Sequence, residues 1–191
     1  YKSDTNQYPR DPLLPKNLWF TSDPYWRTGY DHGHICPSAD RLNSAEANYQ
    51  TFYLTNMQPQ VHGFNAGVWQ NMETKVRDIA SRYNYTFCDT LYICKGGTID
   101  KPELVLETTG KGLLVPKYFF MAVLRVKNGV YNAMGFWIEH KASNDKKLAK
   151  YAVSIKELEE KTGIDFFCNL PDDIEYAVEN AAVNNTFWGL N

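Results

Sequence analysis

A pair of long apolar segments constrains the fold of this chain more than any other feature. Residues 118–126 and 130–138 are rich in β-branched and aromatic side chains and flank Asn128-Gly129, the strongest short signal for a β-hairpin. The first segment is apolar on both faces: Phe119, Met121 and Val123 on one, Phe120, Ala122 and Leu124 on the other. Because strands of this kind are buried on both sides, we predict that this segment lies near the centre of a sheet.

A helix is predicted from Val68 to about Arg82. Apolar residues recur there at spacings of four and three, and they form one stripe: Val68, Met72, Val76 and Ile79. A second set, spaced by four, lies on a neighbouring face: Asn65, Trp69, Glu73 and Arg77. The ordinary interpretation of the last two is a surface ion pair along the helix.

Shorter elements surround this helix. Before it we predict an irregular arm over residues 1–29, a bent strand over 30–36, a short helix capped by Ser44, and a strand over 51–55. After it we predict a strand over 90–94, a helix from the capping box Ser154–Glu157 to Gly163, and a last helix over 174–182. This order predicts one α+β domain over residues 1–191, with a largely antiparallel central sheet flanked by helices.

The net charge and the cysteine content exclude few classes of function. The net charge of −2 lacks the basic signature of a stable nucleic-acid-binding protein, although a local basic patch suffices for an enzyme that releases its product. No apolar run approaches the ~20 residues that a membrane helix needs. Four cysteines, Cys36, Cys88, Cys94 and Cys168, leave two alternatives open, one or two disulfide bridges or buried free thiols.

Residues with metal and proton-transfer chemistry concentrate between positions 30 and 77. His34 is a candidate general base, since an imidazole with a pKa near ~6.5 can accept a proton from water. Asn65 offers a hard carbonyl oxygen suited to Mg²⁺. Along a regular helix Glu73 would lie ~12 Å from Asn65, so we expect it to act through a metal-bound water, with Arg77 contacting a phosphate oxygen. The ordinary alternatives are a structural histidine and a helix-capping asparagine.

A competing interpretation is a zinc site. His32, His34 and Cys36 alternate along a strand and would share one face, and all three residue types bind zinc. The sequence places no obvious fourth ligand.

Three blocks of this sequence resemble the DNA/RNA non-specific endonucleases, which carry a ββα-metal, or His-Me finger, active site. Asp31-His32-Gly33-His34 resembles the Asp-Arg-Gly-His signature, residues 52–60 (FYLTNMQPQ) resemble the second block, and Asn65, Trp69, Glu73 and Arg77 resemble the metal-binding block. Stretches around 96–98 and 153–173 also agree. The resemblance therefore covers most of the chain and implies a ββα core at about residues 30–82.

The resemblance implies an activity. In this scheme His34 activates a water for attack on a phosphodiester, Asn65 holds Mg²⁺ (with Mn²⁺ as a substitute), Glu73 positions metal-bound water, and Arg77 stabilises negative charge. The products would carry 5′ phosphate and 3′ hydroxyl ends. DNA and RNA would both be substrates, because contacts to the backbone carry no sequence information.

Two departures from the family pattern affect the expected substrate contacts. His32 stands where the signature has arginine, and with Arg41 it remains a candidate substrate-binding residue. The family also has an arginine upstream of the signature, for which neither Arg10 nor Arg27 aligns.

Family members are commonly exported, so we expect a periplasmic, secreted or cell-surface protein whose targeting segment lies outside this sequence. The alternative function is a catalytically inactive nuclease-like binding module. The oligomeric state stays open, a homodimer included.

Overall fold

Residues 8–29 form an irregular arm, as predicted for that part of the chain. The computed structural model describes residues 8–191, so the first seven residues of that predicted arm lie outside the described residues. Within the arm a single 3₁₀ turn spans Lys16–Leu18. Arg10 holds the arm together, because its guanidinium donates hydrogen bonds to the backbone oxygens of Phe20 and Thr21 at 3.0 and 3.3 Å.

Two short antiparallel strands follow, β1 (Asp31–His34) and β2 (Met57–Gln60), with helix α1 (Ala45–Gln50) between them. The predicted cap of α1 is confirmed, since the Ser44 hydroxyl accepts a hydrogen bond from the amide of Ala47.

The strand predicted over residues 51–55 is wrong. These residues form a turn that leads into a 3₁₀ helix at Leu54–Asn56. The side chain of Asn56 closes this turn, because its Nδ2 donates to the backbone oxygens of Thr51 and Cys36 at 2.8 Å. A side-chain amide that bonds the local backbone competes with a sheet ladder.

The predicted central helix is α2 (Gln70–Tyr85), preceded by a π-helical turn at Phe64–Trp69. Its apolar stripe is buried as expected: Val68, Met72, Val76 and Ile79. Regular helical backbone ends at about residue 81, because Arg82 has an extended ψ of 141°. This end agrees with the prediction.

A four-stranded antiparallel sheet forms the centre of the molecule. Its strands are β3 (Thr90–Gly97), β6 (Tyr118–Lys127), β7 (Val130–Glu139) and β8 (Ala152–Val153), in the order β3-β6-β7-β8, while β4 (Val105–Thr108) and β5 (Leu114–Pro116) pair separately. The internal position of β6 confirms the prediction. Asn128 and Gly129 have φ of 50° and 73°, the left-handed values that a type I′ turn requires at both central positions.

Each face of the sheet carries its own apolar core. On one face, α2 packs against Phe119, Met121 and Val123 of β6. On the other, α3 (Ile155–Thr162) and α4 (Asp172–Glu179) pack against the alternate residues of β6. Ser154 caps α3, and Gly163 ends it in a left-handed conformation, as predicted. The last helix, α5 (Asn185–Trp188), was not predicted.

All four cysteines are free thiols, so the disulfide alternative is wrong. Cys36 and Cys88 are partly buried, whereas Cys94 and Cys168 are exposed. Among residues 8–191, no helix has the length and apolar character needed to cross a membrane.

Candidate active site

One cavity at the start of α2 brings together four residues that were predicted to act together. His34, Asn65, Glu73 and Arg77 all line this space of about 450 Å³, which we term the catalytic cavity. Its remaining lining residues come from the segment after β1, from the π-helical turn before α2 and from the first residue of α2: Pro37, Ser38, Ala39, Leu42, Ala66 and Gln70. The predicted base and the predicted metal ligand therefore face the same space.

His34 ends β1 with one ring nitrogen free. Its ring is hydrogen-bonded to the backbone of His32, while its Nε2 is buried and has no hydrogen-bond partner among residues 8–191. The bonded nitrogen is therefore Nδ1, and a neutral ring with its proton there leaves the lone pair on Nε2. The ring of Phe52 meets the imidazole edge-on at 5.2 Å.

The protonation state of His34 follows from its surroundings. Burial, followed by electrostatic interactions with His32 and Lys95, lowers the pKa of His34 to about 4. The imidazole is consequently neutral, and able to accept a proton, throughout the neutral pH range.

Asn65 is oriented by a carboxylate on the neighbouring strand. Its Nδ2 donates a 2.9 Å hydrogen bond to Asp31 Oδ2, the oxygen that also bonds His62 Nδ1 at 2.9 Å. This bond turns the amide so that Oδ1 is left for another partner. A neutral carbonyl oxygen held in place is the type of ligand that Mg²⁺ accepts, so the residue present fits the expected cation.

A bend in the chain brings Asn65 and Glu73 to one cavity. Asn65 lies in the π-helical turn, and Gly67 (φ −113°, ψ −116°) interrupts the helical path between it and α2. A Cβ at Gly67 would lie 2.1 Å from the backbone oxygen of Ser143, which accepts the amide of Val68 at 2.7 Å. Only glycine fits this approach. The ~12 Å separation expected along a straight helix therefore does not apply.

His140 fixes the backbone that leads into the same turn. Its Nε2 accepts the amide of Val61 at 2.8 Å, and its Nδ1 bonds the backbone oxygen of Pro116 at 2.8 Å. The backbone oxygen of Val61 in turn accepts the amide of Asn65 at 2.9 Å. Burial lowers the pKa of His140, which favours the neutral form that can accept the Val61 amide.

The ordinary interpretation of Glu73 and Arg77, an ion pair along the helix, is wrong. Glu73 Oε1 instead accepts a 2.9 Å hydrogen bond from Lys95 Nζ on β3, and Arg77 Nη1 pairs with Asp40 at 2.9 Å. The Glu73 and Lys95 side chains are only 12% and 9% exposed. Burial raises the pKa of Glu73, an effect that Lys95 opposes. Packing of α2 on the sheet favours this pair over the helical one, because the ammonium would otherwise be buried without a counter-charge.

His32 is attached to the N-terminal arm. Its ring stacks on Tyr8 at 3.6 Å and on Tyr25 at 4.2 Å between centroids, and its Nε2 lies 3.0 Å from Asp23 Oδ1. Arg41 lies in a neighbouring cavity, beside Cys36. Neither residue lines the catalytic cavity, and their substrate contacts stay predictions.

Sequence reasoning missed three residues that position the site: Asp31, Lys95 and His140. Asp31 stands inside the recognised signature, so its presence there was the available signal. Lys95 interrupts an otherwise apolar and neutral strand, which is also a signal, because a lysine is rarely buried unpaired. His140 carried no signal, since its partners are backbone groups distant in sequence.

The zinc alternative receives no support. Within residues 8–191, a single group of three potential ligands has its ligand atoms within 4.8 Å of one another, and it consists of Glu159, Asp165 and Glu179. This group lies around α3 and α4, on the opposite face of the sheet from α2.

The geometry of the site and the comparisons with known proteins indicate the same class of protein. Two antiparallel strands followed by a helix, with a histidine at the end of the first strand and an amide before the helix, define a ββα active-site fold. The chain belongs to the DNA/RNA non-specific endonuclease family, whose sequence model matches residues 1–173.

Individual relatives point the same way. The chain is 33% identical to a nuclease of Nostoc sp. over 91% of its own length and 64% of that protein, and 31% identical to the mitochondrial nuclease of Saccharomyces cerevisiae over 86% and 54%. A solved structure of the EndoG/EndoGI complex, titled as the mechanism of EndoG inhibition, matches with a TM-score of 0.74 and 23% identity, over 86% of this chain and 70% of that one, which shows the fold.

The comparisons also correct the expected location and show how much of each relative the chain spans. Export is wrong as the expected location, because several of the relatives, the yeast protein among them, are named mitochondrial nucleases. The chain spans only 64% and 54% of the two relatives described above. Their names do not favour the inactive-module alternative.

Proposed function

We propose that this chain is a metal-dependent nuclease that hydrolyses the phosphodiester bonds of DNA and RNA without sequence specificity, leaving 5′ phosphate and 3′ hydroxyl ends. One observation carries the proposal: a neutral histidine, whose buried Nε2 has no hydrogen-bond partner among residues 8–191, shares a cavity with an asparagine whose amide is already oriented. A buried nitrogen without a partner is costly in a folded protein, which supports a functional role for it.

His34 would act as the general base. Its Nε2 takes a proton from the attacking water, while the Nδ1 bond to the backbone of His32 keeps the ring in the productive tautomer. Because the pKa of His34 is about 4, the base is present in its active form at neutral pH.

Asn65 would hold the divalent cation, Mg²⁺ or Mn²⁺, through Oδ1. When bound, such a cation supplies charge stabilisation at the phosphorus and at the leaving oxygen. Asp31 contributes by orienting Asn65, so it is a positioning residue. Glu73 would position water in the cavity, as the family resemblance suggests.

Two cations of the chain have different roles. Arg77 lines the catalytic cavity and would transfer part of its hydrogen bonding from Asp40 to a phosphate oxygen when substrate is present. Lys95 would be a positioning residue that keeps Glu73 ionised and fixed. It also disfavours protonation of His34.

Plasmid and RNA digestion with Mg²⁺, with EDTA, and by the His34→Ala chain tests the proposal. We expect cleavage only by the parent chain with metal, with a fall in kcat/KM as pH decreases through about 4, the pKa of His34. His34→Gly with added imidazole is the matched control, since partial recovery separates a lost base from a lost fold. Mapping of the product ends should give 5′ phosphate.

Undiminished cleavage by His34→Ala would overturn the assigned base. Absence of cleavage under any divalent metal, with a folded parent chain, would overturn the nuclease function itself.

A further inference from the structure

A second cavity lies at the other end of α2, and its lining contains cationic, aromatic and neutral polar side chains but no acidic ones. Its volume is about 680 Å³. Three of its lining residues are cationic, three are aromatic and three are neutral and polar: Arg82, Arg125 and Lys127, then Tyr83, Phe87 and Phe187, then Thr86, Asn184 and Thr186. We term it the basic aromatic cavity. Cations interleaved with aromatic rings are the composition that binds single-stranded nucleic acid.

Within residues 8–191, one carboxylate lies close to the three cations of this cavity: Asp89 pairs with Lys127 and also interacts electrostatically with Arg125. Arg82 and Arg125 donate to neutral oxygens, those of Phe187 at 2.5 Å and Phe87 at 2.7 Å. Neither guanidinium forms an ion pair within 4.0 Å with a carboxylate of residues 8–191; only Lys127 does, with Asp89. The protein as a whole carries a charge of −2, so a local excess of cations is a specific feature of this surface.

Backbone strain presents an aromatic ring at the cavity. Tyr83, Asn84 and Tyr85 have φ of 54°, 54° and 64°, three consecutive left-handed residues with side chains. Each such residue costs about 1–2 kcal/mol. Tyr83 is 65% exposed, and the guanidinium of Arg82 lies 4.8 Å from the centroid of its ring. Strain that holds an exposed ring in place motivates a functional hypothesis.

The two cavities lie at opposite ends of one seam between α2 and β3. In the sheet register Lys95 is opposite Met121 and Leu91 is opposite Arg125, so Lys95 and Arg125 project from the face that α2 covers. Four residues of strand separate these positions by about 13 Å. Along α2, nine residues separate Glu73 from Arg82, which gives about 14 Å. The two measures agree.

We propose that the basic aromatic cavity is a second contact for the substrate strand, in which a base stacks on Tyr83 and a neighbouring phosphate meets Arg82, Arg125 and Lys127. This inference rests on the proposed nuclease function. Stacked nucleotides rise about 3.4 Å each, so the span of about 14 Å between Glu73 and Arg82 corresponds to about four nucleotides of substrate strand. It carries no sequence preference, because every base has a face that can stack.

Binding of oligonucleotides to the full chain in the His34→Ala background tests this, by fluorescence anisotropy. Two single-stranded probes are compared, one of about 12 nucleotides that can reach both cavities and one of about 3 that cannot. We expect Tyr83→Gly to weaken binding of the long probe by about 5- to 150-fold and to leave the short probe unchanged. Glycine adopts the left-handed conformation without strain, so this variant keeps the backbone.

Tyr85→Gly is the matched control. It removes a similarly exposed tyrosine (73%, against 65% for Tyr83) from a position that is also left-handed (φ 64°), and Tyr85 does not line the cavity. We expect the long probe to bind it as it binds the unsubstituted background. In a second readout, Lys127→Ala should lower the slope of log affinity against log salt by about 0.7, and Lys141→Ala should not.

The outcomes separate this inference from the proposed function. Equal losses for Tyr83→Gly and Tyr85→Gly, or no loss for either, overturn the second contact while leaving the catalytic proposal intact. Selective loss in Tyr83→Gly, together with a parent chain that cleaves nothing, supports the strand contact and overturns the nuclease.

Discussion

Removal of the Lys95 ammonium tests the energetics of the catalytic cavity. The pair between Glu73 and Lys95 is 2.9 Å long and nearly buried, with 12% and 9% of the two side chains exposed. Loss of one partner from such a pair costs about 3–5 kcal/mol, because the other charge stays buried without compensation. We expect Lys95→Met to lower the free energy of unfolding at neutral pH by about 3 kcal/mol, the low end because both groups keep some exposure.

The pH dependence has a definite sign. Burial raises the pKa of Glu73 in the folded chain, and without Lys95 it rises further. A carboxyl with a raised pKa binds its proton more tightly when folded, so its contribution to stability is lost as pH rises through that pKa. Below about pH 4 the carboxyl is protonated in both states. The deficit of Lys95→Met is therefore largest at neutral pH and shrinks on acidification.

Urea unfolding followed by tryptophan fluorescence, at neutral pH and near pH 4, measures this deficit. The double variant Glu73→Gln/Lys95→Met should recover most of the loss, since it leaves no buried charge. Lys141→Met, which breaks an exposed pair with Glu139, should change stability little. A deficit below about 1 kcal/mol, or one that grows on acidification, would refute a buried, mutually dependent pair.

Three further changes test the support of the site. Gly67→Ala should destabilise the chain by about 1–3 kcal/mol in thermal unfolding, because its Cβ would collide with Ser143. It should also weaken Mn²⁺ binding in calorimetry. Unchanged metal affinity would contradict the role of the bend at Gly67 in placing Asn65. The pKa of His140 is lowered in the folded chain, so the unfolded chain takes up a proton first and the parent chain should lose stability as pH falls below about 6.5. The side chain of His140→Gln keeps an oxygen that can accept the amide of Val61 but does not titrate. Urea titrations of this variant should therefore show a flatter dependence of stability on pH. Ser154→Ala should cost about 1 kcal/mol in the same titrations without affecting cleavage, and a loss of activity would contradict a purely local cap.

Elements with strong local signals were predicted well. The hairpin around Asn128-Gly129, the buried stripe of α2 and the cap at Ser154 each depend on residues within a few positions of one another. The strand prediction over residues 51–55 failed because β propensity was outweighed by a single side chain, that of Asn56, which bonds the backbone of Thr51 in the turn and of Cys36 after β1.

The sequence predicted the residues that line the candidate site, but not the residues that hold them in position. His34, Asn65, Glu73 and Arg77 were placed together because they belong to recognisable blocks, and they line one cavity. The groups that orient them come from afar: Asp31 lies 34 residues from Asn65, and Lys95 lies 22 residues from Glu73. The first pairing depends on how the turn before α2 lies against β1, and the second on how α2 packs against the central sheet, neither of which a local pattern encodes.

The turn that carries Asn65 depends on residues made much later in translation. Val61 is anchored by His140, 79 residues further along the chain, and the amide of Val68 is anchored by Ser143. A nascent chain that has emerged only to about residue 100 would contain every residue of the catalytic cavity and neither anchor. The candidate active site would therefore be complete only after the central hairpin has docked, so the proposed activity would begin only once the chain is well advanced in its synthesis.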